Sequence, residues 1–316
     1  EQIDIDLVAT PGRSSTAVVR ALIDLCESYR QDALAIIDPP FGLTVNEIID
    51  WQNGVHPLNN TRLDTDFAAL YYPWVEMTDT FNNIPVWVPP SGSVLGAICQ
   101  SDAISGPWYA PAGLTRGVVP NINNVFSRPT LAERDLMYGN NNAINPIITY
   151  PDITGFVIWG QKTLQRRPTA LDRVNVRRML FYVEKSIKNV AKQYLFEPNT
   201  AATRSAFITA CSQILTRLVS NNGAQDFVIK CDEELNTPDV IARNELRAKK
   251  ILEAAGYEVI KKVHTRFSPG DFFGRFDLIA VSSAAIRLIQ CKTNQKPKPE
   301  EYEAIRTFPR PGSATK

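Results

Sequence analysis

An acidic residue and a Gln-x-Lys triplet bracket a short apolar hairpin near the end of this 316-residue chain. Asp277 opens the segment DLIAV, and Gln290 and Lys292 close the segment IRLIQCK. Residues two apart on a strand face the same side, so Gln290 and Lys292 project together. Asp277 could then hold Mg²⁺ or Mn²⁺, with Gln290 as a weaker oxygen ligand. Lys292 could orient a water or stabilise the phosphate that is being attacked, which is the chemistry of a nuclease.

An ordinary pair of buried strands would show the same pattern, with Asp277 at a strand end and Lys292 extending its ammonium group to solvent. The charge distribution leaves both interpretations open. Residues 244–316 hold 14 Lys and Arg and 8 Asp and Glu, so this end of the chain is basic. Residues 1–243 hold the other 20 Lys and Arg and 25 Asp and Glu, so this part is acidic, and the net charge of the chain is +1. A basic end suits a polyanion such as DNA, but short basic ends are also common as solvated surface.

A helix, a strand and a hairpin would have to position these side chains. The pattern over 244–255 predicts a charged helix that ends at Gly256. A strand over YEVIKKV follows, and the segments RFDLIAV and IRLIQCKT form a hairpin joined by SSAA. The stretch ARNELRAKK reads as continuous helix and contains no Gly/Pro linker, which is unusual between independent domains.

Strands and helices alternate over the first 240 residues. Helices are predicted over SSTAVVRALIDLCESYR, over SGSVLGAICQSD and over TVNEIIDWQNG, where Thr44 and Glu47 form a capping box. Strands are predicted over DALAIIDPP, FAALYYPWV and PVWVPPSG. Two long helices and the strand DFVIKCD follow. This βαβ rhythm predicts an α/β architecture with a largely parallel sheet, interrupted by a loop-rich excursion over about 105–150 that is dense in Gly, Pro and Asn.

Composition excludes several classes of protein. No apolar run approaches the roughly 20 residues that span a bilayer, so no membrane partner is expected. The five cysteines include no CxxC pair, which argues against a zinc site or a disulfide framework and favours a reducing compartment. Only His56 and His264 are available to a histidine-based site. The acidic start lacks Met and a signal-peptide pattern, and whether the sequence is a fragment stays open.

About residues 1–243 resemble the tail sheath proteins of contractile bacteriophages. The resemblance rests on eight motifs in order: YYPWV, VPPSG, APAG, INP, VIWGQKTL, VNVRRML, FEPN and NTP. It implies a structural protein with no active site, which forms helical rings of identical subunits around a tail tube protein and meets a baseplate. The expected location is the virion tail, assembled in the host bacterial cytoplasm.

Arg177 and Arg178 lie where the helix over VNVRRML begins. They could reach acids on a neighbouring subunit or on the tube, and they are our candidate interface residues. A solvated or intramolecularly paired helix face is the open alternative. Trp87, Trp108 and Trp159 are predicted to pack in a core or an interface rather than to stack on a ligand.

Residues 244–296 resemble the PD-(D/E)xK nucleases, especially their resolvase-like members. The resemblance implies that Glu245 is an upstream acid and adds a ligand to the metal site of Asp277 and Gln290, although FD replaces the PD pair and Gln replaces Glu. The expected whole is an α/β sheath-like core followed by a small α/β nuclease-like module over 244–316 with a disordered tail. We favour a structural sheath subunit. The alternatives are a Mg²⁺-dependent DNA endonuclease carried on a sheath-like body, and an accidental fusion.

Overall fold

The computed structural model describes residues 4–139, 142–150, 155–242, 245–254, 257–266, 277–282 and 285–289, and from residue 249 onward their backbone alone. The helices are α1 Thr16–Asp24, α2 Val45–Asn53, α3 Pro90–Ile104, α4 Gly113–Arg116, α5 Leu131–Tyr138, α6 Val174–Ala191, α7 Ala201–Ser220 and α8 Pro238–Ala242. The strands are β1 Leu7–Ala9, β2 Leu34–Ile37, β3 Ala68–Tyr72, β4 Val75–Asp79, β5 Ile84–Val88, β6 Val118–Val119, β7 Asn124–Val125, β8 Ile144–Thr149, β9 Phe156–Ile158, β10 Asp226–Lys230, β11 Glu245–Ala254, β12 Tyr257–Arg266, β13 Asp277–Ser282 and β14 Ala285–Ile289. No helix among the described residues is long and apolar enough to cross a membrane.

The largest sheet has the strand order β1-β2-β3-β8-β9-β6 and is largely parallel, as predicted. The pairs from β1 to β8 are parallel, and β9 and β6 are added antiparallel. Every residue of β2 and β3 is buried. Alternate residues of these strands enter two separate cores, one on each face of the sheet. Helices α1 and α2 cover one face and α3 and α6 cover the other, because a sheet that is apolar on both faces must be covered on both.

The segment 105–150, predicted as a loop-rich excursion, holds two short helices and a central strand. Strand β8 pairs with β3 through Leu70 and Ile144, and its first five residues are buried. Helix α5 begins at a capping box of Thr130 and Glu133. The sequence did not indicate strand β8, because it contains Asn145 and Pro146, and these residue types are typical of turns.

A small three-stranded antiparallel sheet, of order β5-β4-β7, stands beside the main sheet. The sequence FAALYYPWV, predicted as one strand, forms both β3 and β4, and the Tyr72–Pro73 peptide bond between them is cis. Because β3 and β4 belong to different sheets, the chain leaves the main sheet between Tyr72 and Val75. Strand β5, predicted as part of the βαβ rhythm, belongs to the small sheet and lies at its edge.

The helix predicted over 244–255 is wrong, because residues 245–254 form strand β11. This strand pairs antiparallel with β10 on one side and β12 on the other. Leu246 and Ala248 pack into the core that α6 and α7 share. Backbone pairing on both sides and this two-residue periodicity outweigh the helical preference of Lys, Glu and Ala. The predicted strand over YEVIKKV is confirmed as β12. The described part of the predicted hairpin forms β13 and β14, and residues 275–276 and 290–293 of the prediction lie outside the described residues.

Candidate functional site

Arg177 and Arg178 are buried at the first turns of α6, at 2% and 3% exposure. The guanidinium of Arg177 lies 3.7 Å from the ring centre of Phe67 and 4.7 Å from that of Phe181. Its Nη1 lies 3.3 Å from the Asp66 carboxylate, just before β3. A cation held between two rings and an acid is desolvated and fixed in place, so Arg177 joins α6 to the main sheet.

Arg178 binds a different element. Its Nη1 donates to Asp102 Oδ1 at 2.9 Å, and its Nη2 contacts the other carboxylate oxygen, so the pair is bidentate. Asp102 lies in the last turns of α3, and the ion pair joins the two helices that cover one face of the sheet. The structure therefore favours intramolecular pairing for both arginines, and their interface role stays a prediction.

Lys185, two turns further along α6, binds the beginning of the chain. Its ammonium lies 2.6 Å from the Asp4 carboxylate and 2.5 Å from that of Asp6, and it also donates to the carbonyl of Ile5. Burial alone would lower the pKa of Lys185, but the hydrogen bonds to Asp4 and Asp6 outweigh it and raise the pKa. Helix α6 thus carries cations that hold the N-terminal strand, the main sheet and α3.

Asp38 is a buried carboxylate where β2 ends, and it caps helix α3. Oδ1 accepts the backbone N–H of Ser91 at 2.8 Å, and Oδ2 accepts the Ser91 hydroxyl at 2.7 Å and the Gly12 N–H at 3.1 Å. The N-cap residue, Pro89, has no side-chain oxygen, so Asp38 supplies the acceptor from across the fold. Burial raises the pKa of Asp38, against these hydrogen bonds.

The motifs FEPN and NTP meet in a polar cluster that holds the start of β11. Asn199 Nδ2 donates to Asn236 Oδ1 at 3.1 Å and to the carbonyl of Glu245 at 2.7 Å, and its Oδ1 accepts from Arg204. Asn236 accepts the N–H of Arg247 at 2.8 Å and donates to the carbonyl of the same residue at 2.9 Å. The sequence singled out both motifs but gave neither asparagine a role. Their side-chain amides bind like backbone peptide groups.

The candidate nuclease residues are only partly brought together. Asp277 is the first residue of β13, while Gln290 and Lys292 lie outside the described residues. Asp277 pairs with Lys262 of β12, which pairs with Lys249 of β11.

Glu245, by contrast, lies far from Asp277. It is four residues along β11 from Lys249, so it is separated from Asp277 by roughly 16 Å at ordinary strand spacing. Its carboxylate also accepts from Arg247 at 2.9 Å. The register thus keeps Glu245 out of reach of a cation at Asp277. Within the described residues, no group of three or more His, Cys, Asp or Glu could hold a metal ion.

Two family models match consecutive parts of this chain. The phage tail sheath protein central domain matches residues 1–164, and the phage tail sheath C-terminal domain matches residues 167–253. The second match continues past residue 243 and takes in nearly all of β11. Both matches end before Asp277, and they lend the nuclease resemblance no support.

Similar proteins of known identity are tail sheath proteins. That of Vibrio phage KVP40 is 33% identical over 255 residues, covering 76% of this chain and 38% of the relative. That of Enterobacteria phage T4 is 33% identical over 236 residues, covering 72% and 35%. This chain therefore spans a little over a third of the length of these relatives.

Among solved structures, a chain of the anti-feeding prophage baseplate has a similar fold, with a TM-score of 0.63 and 24% identity over 79% of this chain and 65% of that one. A chain of the same baseplate in its contracted state gives a TM-score of 0.60 and 22% identity, over 76% and 62%. The sheath-domain models cover both the main sheet and the α6–α7 pair, in chain order and almost without a gap. The chain belongs to the phage tail sheath family.

Proposed function

We propose that this chain is a structural subunit of a contractile phage tail sheath. It polymerises in helical rings around a tail tube and contracts to drive the tube into the host. The supporting observation is the match of the central and C-terminal sheath domain models over residues 1–164 and 167–253. The ion pairs of α6 suit this role, because the buried Arg177 and Arg178 join this helix to the sheet and to α3, and Lys185 joins it to the N-terminal strand.

The partners in this proposal are other copies of the chain, a tail tube protein and a baseplate. The baseplate is included because the similar solved chains come from a baseplate. The location is the tail of the virion, after assembly in the host bacterial cytoplasm.

Electron microscopy of the purified chain, alone and mixed with isolated tail tubes, tests this function. Rings, tubes or decorated tail tubes are the expected result. A protein that sediments as a monomer at every concentration and leaves the tubes bare would refute it.

A second function is proposed for the end of the chain, as a Mg²⁺- or Mn²⁺-dependent DNA endonuclease. It is supported by the pairing of β13 with β14, in which Asp277 is the first described residue of β13. Asp277 and Gln290 would hold the metal, Lys292 would act on the phosphate, and the basic segment would contact DNA. The metal would supply charge stabilisation and an activated water.

A DNA cleavage assay with either metal decides this second function. Cleavage should be lost in Asp277→Ala and Lys292→Ala, whereas Glu245→Gln is the matched control and should retain it. Absence of cleavage with both metals would refute the activity.

A further inference from the structure

The five-stranded sheet of order β10-β11-β12-β13-β14 is antiparallel throughout, and its two faces differ. Phe227 and Ile229 of β10, with Leu246 and Ala248 of β11, pack into the core of α6 and α7. Successive residues of a strand lie on opposite faces, so Val228 lies on the other face, where it is 43% exposed. We call the face that holds Val228 the outer face.

An apolar row crosses the outer face from one edge of the sheet to the other. Residues directly opposite each other on neighbouring antiparallel strands share a face, so the register extends the position of Val228 across all five strands. This apolar row consists of Val228, Ile251, Ile260, Ile279 and Leu288. An antiparallel sheet normally has polar residues on the face that is not packed on a core, so a continuous apolar row there indicates a contact surface.

Two charged rows flank the apolar row over β10, β11 and β12. Each lies two residues from it along the strands, and therefore on the same face. The acidic row, on one side, consists of Asp226, Glu253 and Glu258. The lysine row, on the other side, consists of Lys230, Lys249 and Lys262. On β13 the next positions are Val281 and Asp277, so both charged rows end at β12.

Within one chain these charged rows are unfavourable. Like charges at directly opposite strand positions, about 5 Å apart, destabilise a sheet. The two rows do little to neutralise each other, because Asp226 and Lys230 are four residues apart along β10, about 13 Å at strand spacing. That distance exceeds the Debye length of about 8 Å at physiological salt. A partner that brings the opposite charge to each row would relieve the repulsion.

The order of the rows makes the outer face complementary to itself. A two-fold rotation about the apolar row turns the sheet over and exchanges the two sides of that row. The acidic row of one copy then lies over the lysine row of the other, and the two apolar rows lie over each other. The position of Glu253 meets that of Lys249 on the second copy, by the register. Two sheets commonly pack face to face in this way, about 10 Å apart with nearly aligned strands.

We propose that the outer face pairs two copies of this chain about a two-fold axis along the apolar row. Charge complementarity identifies the partner, because a face whose charged rows are exchanged by the rotation is matched by its own copy. A two-fold contact closes on itself and adds no third copy. The pairing is therefore separate from the contacts that build a ring, and it goes beyond the proposed sheath function.

The size of the face sets the strength of the pair. The three rows supply about half of the 20–30 residues that a stable interface has on one side. We therefore expect a weak pair that depends on protein concentration, and one that weakens as salt screens the charged rows.

Zero-length carbodiimide cross-linking tests the arrangement, in a mixture of isotope-labelled and unlabelled chains read by mass spectrometry. The reagent joins a carboxylate to a lysine only where they touch, and links of mixed isotope mark contacts between copies. We expect mixed links from Glu253 to Lys249 and from Glu258 to Lys262. Within one chain each of these pairs is four residues apart along a strand, about 13 Å, which is too far for a zero-length link.

Reversing a whole charged row gives a second test, by sedimentation below the concentration at which rings form. One variant carries Asp226→Lys, Glu253→Lys and Glu258→Lys. The other variant carries Lys230→Glu, Lys249→Glu and Lys262→Glu. Each variant alone has one sign of charge on both sides of the apolar row, so its dissociation constant should rise by about a hundredfold or more. An equimolar mixture should pair at least as well as the wild-type chain, since every row then meets the opposite charge.

Glu197→Lys is the control, because Glu197 is exposed and lies outside the sheet, and its dissociation constant should be unchanged. Equal pairing by the wild-type chain and each reversed variant would overturn the inference, and so would a mixture that pairs as weakly as its components. A wild-type chain that stays monomeric while row reversal lowers its Tm would show that another part of the same chain occupies the face. Rings that form without mixed links between the charged rows would overturn the pairing and leave the sheath function standing.

Discussion

The side chain of Asn236 continues the hydrogen bonding of β11 beyond the point where its pairing with β10 ends. Replacing Asn236 tests how much this side chain stabilises the part of the chain that matches the sheath C-terminal domain. Strand β10 pairs with β11 only as far as Lys230 and Lys249. Beyond that point the N–H and C=O of Arg247 face no strand on this side, and the side-chain amide of Asn236 takes both. The amide therefore replaces one peptide group of the missing strand.

The cost of Asn236→Ala follows from these contacts. Asn236 is 2% exposed, and its loss leaves two backbone groups of Arg247 without their partner. Each unpaired buried group costs about 1–3 kcal/mol, and Arg247 is itself only half-buried, so water can restore part of the loss. We expect the free energy of unfolding to fall by about 2–4 kcal/mol. The Tm should fall by about 4–16 °C, at about 2–4 °C per kcal/mol for a cooperative unit of roughly 150–250 residues.

Thermal and urea unfolding measure the loss, and hydrogen exchange at the amide of Arg247 locates it. Exchange at that amide should accelerate more than exchange in β3. Asn189→Ala is the control, because Asn189 is exposed on α6, and its free energy of unfolding should change by less than about 0.5 kcal/mol. Unchanged protection of Arg247 and an unchanged Tm in Asn236→Ala would refute the idea that this amide anchors β11.

Three other predictions follow from buried groups. Asp102→Ala should lower the free energy of unfolding by about 3 kcal/mol, because it leaves Arg178 buried without its bidentate partner, and urea unfolding measures this. Burial raises the pKa of Asp38 above 3.8 in the folded state, so the folded chain binds more protons than the unfolded chain between these two pKa values. The free energy of unfolding should therefore decline as pH rises from 3.8 through the raised pKa. A pH series of Asp38→Asn should lack that decline. Alkylation of the native chain at pH 8, read by mass spectrometry, should modify exposed Cys99 and spare Cys26, whose pKa burial raises to about 11; equal labelling of the two would contradict the burial.

Local patterns predicted much of the first 240 residues correctly. The capping box of Thr44 and Glu47, the buried strand β2 and the amphipathic helix α6 each follow from residues close together in the sequence. The sheath motifs predicted the family, which the domain models confirm. Patterns over five to twenty residues suffice for such features, because caps, turns and apolar periodicity depend on near neighbours.

The contacts between segments far apart in the sequence could be identified only from the folded structure. Strand β8 was hidden by Asn145, whose side chain bonds to the carbonyls of Leu70 and Lys162 rather than forming a turn. The partners of Arg178 and Asn236 lie 76 and 11 residues away along the chain, and no local spacing indicates them.

What the sequence determined by itself was the α/β class, most helices and the sheath family, because these depend on local propensity and on motifs in order. Only the tertiary structure decided that residues 245–254 form a strand, that Arg177 and Arg178 are buried in ion pairs, and that the Asn236 side chain binds the backbone of Arg247. The physical reason is the same in each case. Burial and backbone pairing are set by segments far apart in the chain, and their free energies exceed the few tenths of a kcal/mol per residue that local propensity contributes.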